Sequence, residues 1–251
     1  VKLELDGDPE GCTAEQQQST LVIDCRASLT LRVPPSTTVN VGTVAGDLLL
    51  KGLNRAVSVE TVRGDLFVAS GEDSISIEEA FGDLGVEHLR GPLSAAQTRG
   101  DVHLKDVSAV RLGTVHGDLH ARDVAAELEL GVVGGSVRLR HVAGPVTLEE
   151  GRGDLRGRDL QGGLQAHQVH GSLSLRTGLA AGRTYRARAM GDISARFPPE
   201  TSARPAMGES QIKQPKGADL RPGGPCCLSS RYACGKTGRT GECPRVRTPF
   251  K

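Results

Sequence analysis

Residues 117–155 read GDLHARDVAAELELGVVGGSVRLRHVAGPVTLEEGRGDL, and the same unit returns every 18 residues. A Gly, a small polar residue and an aliphatic open each unit: Gly117-Asp118-Leu119, Gly135-Ser136-Val137 and Gly153-Asp154-Leu155. Outward from this stretch the triplet recurs upstream as Gly46-Asp47-Leu48, Gly64-Asp65-Leu66, Gly82-Asp83-Leu84 and Gly100-Asp101-Val102. Downstream it recurs as Gly171-Ser172-Leu173 and Gly191-Asp192-Ile193. Successive glycines lie 18, 18, 18, 17, 18, 18, 18 and 20 residues apart. An apolar pair also stands seven and five residues before the next Gly: Val57/Val59, Ile75/Ile77, Val110/Leu112, Leu128/Leu130 and Val146/Leu148.

Alternation with period two means short strands whose aliphatic side chains point inward. Units of 17 to 20 residues are too short for a helix plus strands, so helical repeat folds fit poorly. The expected fold is all-β: a single-stranded, β-helix-like β-solenoid of about nine coils. With hydrogen-bonded coils about 4.8 Å apart, it forms a rod about 43 Å long. At the turns, Gly is expected to supply φ > 0 and Asp to bond the backbone N–H two residues on. Ser136 and Ser172 could serve in the same way. The turn ladder is thus Gly46/Asp47, Gly64/Asp65, Gly82/Asp83, Gly100/Asp101, Gly117/Asp118, Gly153/Asp154 and Gly191/Asp192.

Composition agrees. The 251 residues include 33 Gly, no Trp, 2 Tyr and 4 Phe, so core area must come from repeated aliphatics rather than large rings. An apolar content of 37% is too high and too evenly spread for a wholly disordered chain. No apolar run is long enough for a membrane-spanning helix. The sequence starts at Val1 with no signal-peptide pattern behind it, so any leader is expected to be removed or not included.

Three segments follow. Residues 1–45 read as an N-terminal β cap, with strands around Leu3/Leu5, Leu21/Ile23 and Leu29/Leu31/Val33 separated by a polar loop and ended by Pro34-Pro35. A cap is needed because open strand edges invite aggregation. Residues 46–202 are the solenoid, with the pattern closing at Phe197-Pro198-Pro199. Residues 203–251 hold 10 basic and 3 acidic residues, against 21 and 27 in residues 1–202. That Pro/Gly/Cys-rich segment is expected to be a disordered basic tail or out-of-frame sequence.

Several polar rows are candidate sites. The Asp row could share divalent cations, but one carboxylate per coil falls short of the six or more oxygens that Ca²⁺ takes. Turn closure is the simpler role. Five residues after each Gly from Gly100 onward, six coils in a row, lies a basic row, Lys105, Arg122, Arg140, Arg158, Arg176 and Arg196, expected to face solvent. It would suit an anionic glycan, polymer or surface, or it is a solvated face whose charges discourage aggregation. Specific nucleic-acid binding is not expected, because residues 1–202 are net acidic and nearly free of stacking aromatics. His103 and His120 share one outward position in neighbouring coils, but no full metal-ligand set accompanies them. No Ser/His/Asp or Cys/His set converges either, so neither an enzyme nor a cofactor is expected. Cys12 and Cys25 flank the cap loop and could pair, which would favour an oxidising compartment. Cys226, Cys227, Cys234 and Cys243 match no zinc spacing.

The run Leu29-Thr30-Leu31-Arg32-Val33-Pro34-Pro35, then Val39 to Leu48 (VNVGTVAGDL), followed by recurring Gly-Asp-Leu coils, resembles a bacterial adhesin-like domain family of unknown function, DUF4097. The likeness covers roughly residues 20–200. It implies a bacterial β-solenoid, sometimes secreted or joined to membrane segments, with no catalytic residues to transfer; the cell envelope or exterior is the expected compartment and the cytoplasm the alternative. The functional expectation is a non-enzymatic, adhesin-like interaction or surface-scaffold rod, its partner an unknown protein or an anionic glycan or surface. The alternatives are a subunit polymerising through its solenoid ends and, third, a polysaccharide-active enzyme.

Overall fold

The computed structural model describes residues 2–6, 12–17, 20–32, 38–178 and 182–196. Over these residues the chain winds as an all-β solenoid of about nine turns. Each turn gives one strand to each of two sheets. Sheet A runs β1 (Lys2–Asp6), β4 (Ser28–Arg32), β6 (Leu48–Leu53), β8 (Leu66–Gly71), β10 (Leu84–Leu89), β12 (Val102–Val107), β14 (Leu119–Val124), β16 (Val137–Val142), β18 (Leu155–Leu160), β20 (Leu173–Arg176) and β22 (Ile193–Arg196). Sheet B runs β2 (Cys12–Gln17), β3 (Thr20–Cys25), β5 (Thr38–Val44), β7 (Val57–Val62), β9 (Ile75–Ala80), β11 (Leu93–Thr98), β13 (Val110–Val115), β15 (Leu128–Val133), β17 (Val146–Gly151), β19 (Leu164–Val169) and β21 (Tyr185–Ala189). Among the described residues, no helix is long and apolar enough to cross a membrane.

The strands show that each 18-residue coil is two similar halves of nine, since β6, β7, β8, β9, β10 and β11 begin nine residues apart. Positions one, three and six of a strand point inward, as with Leu84, Val86 and Leu89 in β10. Two outward residues therefore sit side by side before the sixth. In sheet A that change of phase is made by the fifth residue, which takes a left-handed backbone: Ser70 (φ 64°), His88 (55°), Asp106 (52°), Asp123 (56°), His141 (51°) and Asp159 (55°), with Gly52 (68°) first in the row. Asp, His and Gly are among the residues that accept this conformation most readily.

The core is a ladder of Leu, Val, Ile and Ala between the two sheets. Full burial of each Leu, Val or Ile contributes about 1.5–3 kcal/mol, so repetition replaces the missing aromatics. Among the described residues Tyr185 packs partly buried against the core, and the two phenylalanines sit further out. Phe67 is 39% exposed, and Phe81 lies under the Arg99 guanidinium, 4.1 Å from the ring centre.

The corner chemistry differs from the expectation of φ > 0 at Gly and self-closing Asx turns. Among the described glycines, positive φ occurs only at Gly52, Gly163 and Gly182, outside the Gly-Asp row. What those corners require is close approach between coils. A Cβ on Gly100 would stand 2.5 Å from the Gly82 carbonyl oxygen and 2.6 Å from its carbon. Likewise Asp bonds its successor one coil on, not its own turn. The N–H of Asp65 donates to Asp47 Oδ1 (2.8 Å), Asp83 to Asp65 (2.8 Å), Asp101 to Asp83 (2.7 Å), Asp118 to Asp101 (2.7 Å) and Ser136 to Asp118 (2.7 Å). The carboxylate supplies the acceptor that this N–H lacks in the backbone ladder. Ser28 Oγ starts the row by accepting from the Asp47 N–H at 3.2 Å.

The parallel stack reaches back beyond Gly46, because β3 pairs with β5 and β4 with β6, both in parallel. The antiparallel cap is therefore β1 on β4 and β2 on β3, rather than all of residues 1–45. The segment read as a polar loop contains β2. Its sequence CTAEQQ has no apolar alternation, and its strand form comes from pairing with β3. Cys12 lies opposite Cys25 in that pair and the two form a disulfide, Cα–Cα 4.1 Å. At the other end, in the 20-residue coil, β20 has four residues. There the buried Thr177 Oγ1 accepts the Leu160 N–H (2.9 Å) and donates to the Leu160 carbonyl (3.0 Å). The Phe197-Pro198-Pro199 stop and the tail 203–251, with its four cysteines, lie outside the described residues.

Candidate anion-binding face

The basic row forms one column on the outer face of sheet A. Register pairs Lys105 with Arg122, then Arg122 with Arg140, Arg140 with Arg158, Arg158 with Arg176 and Arg176 with Arg196. Each step is one strand spacing, about 4.8 Å. All six occupy the fourth position of their strands, outward because positions three and six are inward.

Ion pairing divides the column. Lys105 lies 3.5 Å from Glu87 and Arg122 lies 3.1 Å from Asp123. Arg140, Arg158, Arg176 and Arg196 have no ion-pair partner among the described residues. Four guanidinium groups without an ion-pair partner among the described residues thus stand in consecutive coils.

The structure adds a second column that the sequence reading passed over. Arg138 pairs in register with Arg156, each two residues ahead of Arg140 and Arg158. Its signal is the Arg-x-Arg in consecutive coils, Arg138-Leu139-Arg140 and Arg156-Gly157-Arg158. Arg138 is anchored beside Asp118 (3.8 Å) and touches His120, while Arg156 stands 3.4 Å from Asp154. The same row then turns from arginine to serine, Arg156 to Ser174 to Ser194. Short side chains beside long ones leave a trough of about 490 Å³ along the arginine column. The corner next to the column carries the left-handed residues, where His141 bridges Asp123 (3.0 Å) and Asp159 (3.3 Å) and His88 meets Asp106 (2.8 Å).

The other candidates fall out differently. His103 and His120 are neighbours, with ring centres 5.1 Å apart and edge to face. Partial burial, the Arg138 cation and His103 hold His120 below the ordinary histidine range. The guanidinium beside this pair repels a metal ion. In the Asp row one oxygen of each bonded carboxylate is already committed to the next coil, as at Asp83 and Asp101.

Chemically, the face offers permanently charged planar donors, which bind sulfate, phosphate and carboxylate oxygens in a two-pronged manner. Among the described residues, the trough itself is lined by no histidine or carboxylate. Comparison of the chain with known protein families, with curated proteins and with solved structures found no match in any of the three.

Proposed function

We propose that this chain is a non-enzymatic interaction rod whose sheet A binds an anionic polymer or anionic surface along its length. The observation that carries this reading is the run Arg140, Arg158, Arg176 and Arg196 in adjacent coils with no ion-pair partners among the described residues. An arginine column of fixed spacing, on a sheet stiffened by a continuous core, meets a long ligand without reorganising. The disulfide between Cys12 and Cys25 and the likeness to the adhesin-like bacterial family favour the cell envelope or exterior.

The test is binding to a sulfated polysaccharide over a range of salt concentrations, with neutral dextran as control. Changing Arg140, Arg158 and Arg176 together to Ser is expected to weaken binding at least about 100-fold and to flatten the log–log salt slope by about 2–3. Unchanged affinity and slope in that variant would refute the reading.

Growth through solenoid ends is less well supported. The N-terminal end finishes in antiparallel strands on both sheets, so a second rod added there would break the parallel ladder.

A further inference from the structure

We propose that the trough over Ser174 and Ser194 seats the sugar units of an acidic glycan, sulfated or uronic-acid-bearing, that runs along the rod axis. This rests on the anion-face reading above and names the ligand class for it.

The argument begins with shape. If the face served only as a positive plane, arginine in both outward rows of every coil would serve best. Instead the second row carries Arg138 and Arg156 and then drops to Ser174 and Ser194 in register with them. Both serines are exposed and open into the trough of about 490 Å³, which falls within the range of about 300–1,000 Å³ typical of small-molecule sites. Arg140, Arg158, Arg176 and Arg196 line it in one column, and Arg138 and Arg156 precede the two serines in the other. A flat membrane surface cannot enter such a recess, and a bare chain of phosphates would leave it unfilled. A sugar ring fills it and presents hydroxyls that serine can both donate to and accept from.

Spacing supports the same ligand. Two coils advance about 9.6 Å, close to the rise of one disaccharide in an extended glycan. One acidic group per disaccharide would then meet the column at every second coil, between guanidinium groups of adjacent strands. Those groups can take it from two sides. Nucleic acid is disfavoured because no aromatic ring lines the trough to stack on a base.

Calorimetry with a sulfated tetrasaccharide and with linear polyphosphate of matched charge tests the assignment on the full chain. Wild type is expected to bind the tetrasaccharide more tightly. Changing Ser174 and Ser194 together to Arg fills the trough while extending the second arginine row. That variant should lose at least about tenfold for the tetrasaccharide yet gain affinity for polyphosphate, because charge is added. The pair Ser174→Ala with Ser194→Ala leaves the trough open and removes two hydrogen-bonding groups. It should lose about tenfold for the tetrasaccharide alone, and it carries the test if the arginine variant folds poorly. Equal or tighter tetrasaccharide binding in the arginine variant, or no loss in the alanine variant, overturns the glycan site while leaving the anion face standing. Failure of wild type to bind either probe overturns both.

Discussion

Gly100→Ala separates two explanations of the glycine row, backbone conformation and coil-to-coil clearance. The new Cβ would lie 2.3 Å from Asp83 Oδ1, 2.5 Å from the Gly82 oxygen and 2.6 Å from the Gly82 carbon, where ordinary contact begins at 3.4 Å. Asp83 can swing aside, but the Gly82 backbone cannot. The corner must therefore open by about 1 Å, stretching the bond from the Gly100 N–H to the Gly82 carbonyl (3.2 Å) and that from the Asp101 N–H to Asp83 (2.7 Å). Two weakened hydrogen bonds plus overpacking put the cost at about 2–4 kcal/mol. Gly52→Ala is the control. Gly52 has φ 68° and nothing within 4 Å of its hypothetical Cβ, so only the left-handed penalty of about 1–2 kcal/mol applies. Asn, which tolerates that conformation, should relieve Gly52 but leave Gly100 as damaged as Ala does. Repeat proteins unfold in segments, so native-state hydrogen exchange at the Gly100 and Asp101 amides is the assay, with thermal melting beside it. A Gly100→Ala protein within about 0.5 kcal/mol of wild type, or rescue of Gly100 by Asn, would refute the clearance argument.

Asp83→Ala removes the acceptor of the Asp101 N–H and should cost about 1–2 kcal/mol. Asp83→Asn or Asp83→Ser should cost less in the same denaturation series, and a neutral Ala result would discount the Asp ladder. Because burial and the Arg138 cation depress His120, Arg138→Ser should raise its titration midpoint toward the unperturbed value of about 6.5. NMR of the ring protons reads the shift, and a midpoint that stays put or falls contradicts the assigned cause. Reducing the Cys12–Cys25 disulfide, which links residues 13 apart, should destabilise the cap by up to about 3 kcal/mol. Exchange should quicken in β2 and β3 and remain slow in β10 to β18; uniform acceleration along the rod would show that the cap and coils unfold together. Sedimentation across protein concentration should show a single species, and concentration-dependent growth would favour assembly through the ends.

The repeat was legible because inward positions are chemically monotonous. Leu48, Leu66, Leu84 and Val102 occupy the same place in successive coils, and any slip would turn an aliphatic outward. The nine-residue half-coil was harder to see. Its sixth position is Leu53, then Gly71, then Leu89, and the phase change before it depends on φ at Ser70 or His88, which composition does not announce. The role of Gly and Asp was misassigned for a related reason. Gly-Asp is equally good as a turn and as a tight inter-coil contact, and only the neighbouring strand distinguishes them. The Lys105–Arg196 column was legible from spacing alone. The second column was not, because Arg138 and Arg156 share their row with His103, His120 and Ser174, and mixed rows give no periodic signal.

The mixture of residues within single rows also bears on function. Every coil meets the same backbone demands, so a residue required by the fold should recur along its whole row, as Gly does at the corner. The arginine column fails that test. In register with it stand Arg32, Lys51, Ala69 and Glu87 before Lys105 and the five arginines. The fold therefore accepts a methyl or a carboxylate where Arg140 or Arg158 stands. Nor does protection against edge pairing require the charges from Lys105 to Arg176, since the sheet A strands β12 to β20 each have strands on both sides and expose no edge. Neighbouring guanidinium groups repel by up to about 1 kcal/mol per pair in water, and salt screens part of that. A row that alternated Arg with Glu would be just as soluble and would avoid the repulsion. The concentration of charge in the last coils is thus a local cost that the solenoid does not need, and an anionic ligand lying along the column is what would offset it.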